Sequence, residues 1–275
     1  MEMTVTRATL AQGIAQRLRE CSSDMQRQRQ ESPGVRSCLV DDLLPDDAAR
    51  QMHAAFPTTD RMMYKRSIRE NKHVAAQMNL YAPILEDAVF AFQHGDVIAA
   101  VAEITGLKGL EPDPELYAGG ISLMAKGAYL RPHLDNSHDR TRARYRTLNL
   151  LFYVTPDWSE CDGGTLQLWD EGPQGAPRTI ASAFNRLVIM ATDEHSWHSV
   201  SEVTGEDARC CVSNYYFSRT SPSEKTYFHA TSFRQEYGRG VKDKVMRADN
   251  ALRSMILRTT GNLLYRNPHG YKRED

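Results

Sequence analysis

"AYLRPHLDNSHD", residues 128–139, carries an imidazole and a carboxylate two positions apart at the end of an alternating run. In an extended strand residues i and i+2 project from the same face, so His133 and Asp135 can approach one metal ion or each other. "HGD" puts His94 and Asp96 in the same relation. There, however, Asp96 immediately precedes "VIAAVAEI", where a helix N-cap belongs, and His94 and Gly95 form the preceding turn. The surroundings of the first pair are the informative ones.

Around it, from 116 to 220, apolar residues fall into short strands at regular intervals. The strands are "LYAGGISLMA", "AYLRPHLDN", "RTLNLLFYVT", "GTLQLWD", "PRTIASA", "NRLVIMAT", "SWHSVSEV" and "ARCCVSNYYFS". Turn signals such as "PDW", "CDGG", "EGPQGAP" and "TGED" separate them. Eight short strands predict two packed sheets of the jelly-roll kind. Residues 1–115 read as mostly helical, with "LPDDAARQMHAAF", "APILEDAVFAFQ" and "DVIAAVAEITG" at helical spacing. Residues 221–275 return to that spacing, and Val245, Leu252, Met255 and Ile256 are expected to bury one face of a C-terminal helix. That face serves core packing or a homodimer. The three segments are expected to form one integrated domain.

The 34 basic side chains are balanced by 35 acidic ones, so bulk charge calls for neither nucleic acid nor a membrane surface. No apolar run approaches the ~18 residues of a membrane span. The first twenty residues read as an amphipathic helix rather than a signal peptide. Five cysteines, two of them adjacent, suit no disulfide framework, and a reducing cytoplasm is the expected setting. Cys210 and Cys211 read as inert packing on a buried strand.

On the strand array His133 and Asp135 lie on the second strand, His198 on the seventh and Arg209 at the start of the eighth. Two histidines and a carboxylate on one face of a metal leave three adjacent sites open, as a ferrous ion needs to bind a chelating cosubstrate and dioxygen together. A zinc hydrolase tolerates the same three ligands but needs one open site and gives Arg209 no role. His195, in the turn "TDEHS", is the competitor of His198.

With "HLD", "LNLLFYVTPDW", "GGTLQL", "WHSV" and, eleven residues past His198, "RCCVSNYYF", the segment from 117 to 218 resembles the iron(II)- and 2-oxoglutarate-dependent oxygenases, in their prolyl-hydroxylase-like branch. The resemblance implies a double-stranded β-helix, a cupin-like β core flanked by N- and C-terminal helical segments. It implies Fe(II) as metal, 2-oxoglutarate and O2 as cosubstrates, ascorbate as a candidate reductant, and succinate and CO2 as products. His133, Asp135 and His198 match the iron ligands. Arg209 matches the cation on the distal carboxylate of 2-oxoglutarate, a task suited to a guanidinium that grips a carboxylate with two parallel hydrogen bonds. Tyr153 matches a tyrosine bonding the same carboxylate, and Ser213 shares a strand face with Arg209. Arg146 and Tyr215 match positions that touch substrate. Met124 departs from the pattern, standing where the family often carries a tyrosine nine residues before the first ligand.

Arg140, Arg142, Arg144 and Arg146 fall at every second position and share a face if the segment is extended. They make either a solvated loop or a cationic lip, in which Arg142, Arg144 and Arg146 engage an anionic substrate. The expected activity is hydroxylation of an unactivated C–H group of a small metabolite or biosynthetic intermediate. Met124 weighs against the alternative, a peptidyl (prolyl-type) hydroxylase. A non-catalytic metal- and 2-oxoglutarate-binding sensor of the same fold is the third reading.

Overall fold

The structure is a computed structural model, and it describes residues 5–117, 119–223, 225–238, 243–246, 248–250 and 271–272. Its elements in order are α1 (Arg7–Glu20), α2 (Ser22–Glu31), β1 (Ser37–Val40), α3 (Asp46–Ala54), β2 (Met63–Arg66), β3 (Glu70–Ala75), α4 (Pro83–Ala91) and α5 (Gly95–Thr105). Then follow β4 (Gly120–Met124), β5 (Tyr129–Leu134), β6 (Tyr145–Tyr153), β7 (Leu166–Leu168), β8 (Arg178–Ile180), β9 (Arg186–Ala191), β10 (His198–Val200), β11 (Arg209–Ser218) and β12 (Ser232–Phe233). The strands β4 to β11 coincide with the eight segments that the alternation predicts.

The strands form one curled antiparallel sheet in the order β1-β9-β6-β11-β4-β3-β5-β10-β7-β8, with β2 on β3 and β12 on β5. This is a jelly-roll, double-stranded β-helix architecture with flanking helices. Because alternate residues face opposite sides, the long strands carry two cores. Leu148, Leu150 and Phe152 of β6, Leu187 and Ile189 of β9, and Cys210, Val212 and Tyr216 of β11 face outward onto the helices. Tyr153, Val188, Met190 and Cys211 face inward against Leu166, Leu168 and Ile180 of the opposite half of the curl.

The helices close the outer face. On α1 the buried residues Leu10, Ala11, Ile14, Ala15 and Leu18 make the stripe, and a Thr6–Thr9 capping box satisfies its first turn. Pro83 opens α4 at a position where its missing N–H costs nothing. Gly106, at φ +71°, ends α5 in the left-handed conformation.

Three sequence expectations need correction. The N-terminal region is not simply helical: β1, β2 and β3 enter the sheet, and β3 bridges its two halves by pairing with both β4 and β5. At α5 the cap is His94, whose Nδ1 accepts from the Asp96 amide, and Asp96 lies in the first turn. An imidazole nitrogen fills the acceptor role expected of the carboxylate. In the C-terminal segment Val245, expected to be buried, is 53% exposed, whereas Met246 is buried. Leu252, Met255 and Ile256 lie outside the described residues.

Candidate functional site

His133 sits near the end of β5, Asp135 just past it, and His198 starts β10, directly opposite His133 in the antiparallel register. The alternation in "AYLRPHLDN" hides one detail. Between His133 and Leu130 the strand runs three residues against two of β10. This bulge lets both side chains face inward, as bulges beside functional sites do.

The imidazole centroids of His133 and His198 are 4.1 Å apart, and one ligand atom from each of His133, Asp135 and His198 falls within 4.8 Å of the others. Asp135 lies 3.7 Å from each imidazole Nε2, through Oδ1 to His133 and Oδ2 to His198. His133 Nδ1 bonds the Arg131 carbonyl at 3.0 Å and His198 Nδ1 the Ser196 carbonyl at 2.9 Å. A carbonyl only accepts, so both Nδ1 atoms carry a proton and both Nε2 atoms are left to face the shared space. Burial, reinforced by His198, pushes the His133 pKa down to about 3 and keeps it neutral. Burial opposes ionisation of Asp135, but Arg146 and the two imidazoles outweigh it and hold its pKa at about 2. Two imidazoles with Nε2 turned to the shared space and a carboxylate whose Oδ2 is buried without a hydrogen bond fit a divalent ion. The described residues contain no second cluster of this kind.

His195 stays apart, with its side chain 85% exposed and paired to Glu194.

Arg209 lies on the same inner face, 3% exposed. Its Nε donates to Ser182 Oγ at 2.8 Å, Nη1 approaches Met124 Sδ at 3.6 Å, and its guanidinium stacks on Tyr153 at 4.6 Å. Met124, the departure from the resemblance, is therefore a neighbour of this arginine, directly opposite it in register. Among the described residues no carboxylate pairs with Arg209. A buried guanidinium without an anion is costly, so Arg209 is suited to receive one. Tyr153 Oη, buried beside Ser182 and Arg209, adds a donor, since burial pushes its pKa up to about 12. Cys211 and Ser213 follow Arg209 on that face, with Ser213 Oγ 3.6 Å from Cys211 Sγ.

The four arginines do not share a face, because 136–144 is a turning loop with Arg142 at φ +62°. Arg140 pairs with Glu115, and Arg144 with Asp139 and Glu111. Arg142 stacks on Phe228 at 4.3 Å in an open cleft shared with His138 and Tyr227. Only Arg146 turns inward. A bulge at Thr147, where Phe217 pairs with Arg146 but Tyr216 with Leu148, rotates it out of the phase of its strand. It lies 3.4 Å from Asp135 Oδ2 and over the ring of Tyr215 at 4.2 Å, with Nε and Nη2 buried and unbonded.

Some neighbours were not legible in the sequence. Phe233 of β12 stacks on His133 at 5.2 Å. The chain around His229 is clamped to Ser137 in both directions, which leaves His229 Nε2 buried and unbonded. Lys72 and Glu70 of β3 also face this space. The alternation in "ENKHVA" is of charged against polar residues, so the hydrophobic period that marks a strand is missing.

Residues 119–217 match the family model described as the 2OG-Fe(II) oxygenase superfamily. That match covers the strand core, from β4 into β11. A prolyl 3-hydroxylase of Mus musculus (OGFOD1) is 31% identical over 88 residues, which are 30% of this chain and 16% of that protein. The match thus spans about one sixth of that relative's length. A prolyl-4-hydroxylase of Pseudomonas putida superposes with a TM-score of 0.53 at 18% identity, covering 71% of this chain and all of that one. A prolyl hydroxylase of Trichoplax adhaerens, in complex with a peptide fragment of hypoxia inducible factor, has a TM-score of 0.50 at 14% identity over 74% of this chain and 91% of its own. At these identities the two structures show a shared fold. Fe(II) and 2-oxoglutarate are the metal and cosubstrate of this superfamily, and the residues above fit both.

No helix among the described residues is long and apolar enough to cross a membrane.

Proposed function

We propose that this chain is an Fe(II)- and 2-oxoglutarate-dependent hydroxylase of a prolyl residue within a peptide. The observation that carries the oxygenase reading is the placement of two complementary sites on one inner face. One is a triad of two imidazoles and a carboxylate, and the other is a buried guanidinium with no acidic partner among the described residues. His133, Asp135 and His198 would hold the ion, while Arg209, Tyr153 and Ser213 would hold the distal carboxylate of the cosubstrate. With both bound, Fe(II) and 2-oxoglutarate supply the oxidation of a C–H group by O2, releasing succinate and CO2.

The protein's own part is orientation and charge. The carbonyls of Arg131 and Ser196 fix both imidazoles in one tautomer. Arg146 keeps Asp135 ionised, and its unbonded Nε–H and Nη2–H edge is available to a carbonyl or carboxylate of the substrate. Tyr215 stacks under that guanidinium and sets its plane.

The named relatives, all prolyl hydroxylases, support the prolyl substrate over the small metabolite expected from sequence. Met124 had weighed the other way. Because it packs on Arg209, it carries no weight against a peptide.

The test has two stages. Anaerobic addition of Fe(II) and 2-oxoglutarate should give a visible charge-transfer band. Aerobic incubation with proline-containing peptides should then give succinate and a peptide heavier by one oxygen. Succinate formation stimulated only by small metabolites would return the reading to metabolite hydroxylation. A charge-transfer band with no oxygen-dependent succinate under any condition would leave a sensor.

A further inference from the structure

The hairpin β2–β3 places a charged cluster over the metal pocket that the assigned chemistry does not use. On β3, His73 and Ala75 pair with Leu123 and Ile121 of β4. Those partners, with Ala75, belong to the outer core against the helices. Residues of opposite parity, Glu70, Lys72 and Val74, therefore face inward. Val74 pairs with Ser122, which pairs in turn with the inward-facing Cys211. Glu70 pairs with Leu130, which the β5 bulge turns to the same side as His133.

Lys72 Nζ lies 3.2 Å from Glu70 Oε2, and the two side chains are 19% and 24% exposed. Lys65 is directly across from Lys72 on β2. Two ammonium groups thus meet one carboxylate in a half-buried setting. An ammonium has three N–H donors, and Glu70 is the one acidic side chain paired with Lys72 among the described residues. The cluster is within electrostatic reach of the triad: Lys72 acts on both His133 and Asp135. The pocket thus has cations on two walls, Lys72 on the β3 side and Arg146 on the β6 side.

We propose that Lys72, held by Glu70, is a specificity-determining residue that binds a carboxylate on the substrate, an Asp or Glu side chain beside the target proline. This rests on the peptide reading above. Beyond its contact with Glu70 the ammonium has two further N–H donors for a second acceptor, and a charge-assisted hydrogen bond there favours acid over amide. Lys65, across the hairpin, adds field without needing contact.

The test uses the full chain and two probe sets. In the first, proline peptides that differ only in carrying Asp, Asn or Lys beside the proline are compared for kcat/KM at saturating 2-oxoglutarate. Wild type should prefer Asp to Asn by roughly tenfold or more, as one charge-assisted hydrogen bond allows, and should turn over the Lys peptide worst. Lys72→Gln should abolish the preference through KM, and Lys72→Arg should restore it. Equal use of Asp and Asn peptides by wild type, or an undiminished preference in Lys72→Gln, would overturn the proposal.

In the second, N-acetyl-aspartic acid α-amide and N-acetyl-asparagine amide are titrated calorimetrically into Mn(II)- and 2-oxoglutarate-loaded protein under anaerobic conditions. Tighter binding of the acid, lost in Lys72→Gln, supports the lysine's role even if no peptide is hydroxylated. In that event the peptide reading alone fails. Equal binding of acid and amide by wild type sinks the lysine's role while leaving the peptide reading intact.

Discussion

The imidazoles of His133 and His198 each commit one nitrogen to a backbone carbonyl and present the other to the same small volume as Asp135. A metal held this way needs all three groups. Asp135→Ala and His198→Ala should therefore lose peptide hydroxylation. Their Mn(II) affinity, read by calorimetry, should fall by more than the roughly 10–100-fold expected when a ligand's hydrogen-bond partner is removed. His195→Ala and His94→Ala should bind metal as wild type does, since both side chains are at least half exposed and neither belongs to the cluster. Full metal affinity in His198→Ala would refute the assignment. Arg209 gives a separable prediction. Removing one partner of a buried charge pair costs about 2–5 kcal/mol, so Arg209→Ala should weaken 2-oxoglutarate by roughly 30-fold to several thousand-fold at ~1.4 kcal/mol per tenfold, with Mn(II) binding retained. Gly164 offers a milder version. At φ +59°, a Cβ there would stand 2.8 Å from Arg209 Cδ and 3.1 Å from Val203 Cγ2. Gly164→Ala should raise the KM for 2-oxoglutarate before it affects metal binding. At "CDGG" the sequence suggests a tight turn at strand entry, whereas the fold adds a second demand, room for the arginine.

Among the elements, β11 ties the site to the helical layer. Its inner face carries Arg209, Cys211, Ser213 and Tyr215, and its outer face carries Tyr216, whose hydroxyl donates to the Phe92 carbonyl at the end of α4. Tyr216 is fully buried. Tyr216→Phe should thus cost about 1–3 kcal/mol of stability, because the Phe92 carbonyl loses its buried donor. The KM for 2-oxoglutarate and the metal affinity should not change. A denaturant melt checks the first part and calorimetry the second; a changed metal affinity would mean that the outer layer positions the site more tightly than the packing implies. The strands β4 to β11 were legible because one face of each is apolar and the other differs from it, with turn residues between. The hairpin β2–β3 was not, because β2 is mostly exposed and β3 only partly buried. Where neither face is fully apolar, the period of two leaves no hydrophobic trace.

For the molecule as a whole, the site couples folding to protons and metal. His133 titrates near its ordinary 6.5 when unfolded but at about 3 when folded. As pH falls below ~6.5 the unfolded chain binds a proton that the folded chain refuses, so stability drops with acid down to about pH 3. Asp135, ordinarily at 3.8 and held at about 2, stabilises the fold above ~3.8, and that contribution is lost as pH falls through ~2. The metal-free protein should therefore lose Tm steadily from pH 7 to pH 4, and His133→Asn should flatten part of that slope. An identical slope in wild type and variant would mean that His133 is not buried neutral. At pH 7, Mn(II) at a hundred times its dissociation constant should stabilise the wild type by about 2.7 kcal/mol. Asp135→Ala should show no such gain.

By itself, the sequence was sufficient for the β core, and it singled out as candidates the three residues that the fold clusters and Arg209. Each depends on spacing along a strand and on residue chemistry, and both are local. Tertiary structure alone decided where the side chains point and which charges meet. Two bulges reset the period of two: one brings Leu130 and His133 to the same face, and the other turns Arg146 from its strand's outer phase toward Asp135. A bulge is one extra residue in a pairing, so it exists only relative to the partner strand and leaves no mark on the chain that carries it. The same holds for Lys72 and Glu70, sixty residues before the triad, which reach it because β3 closes the gap between β4 and β5.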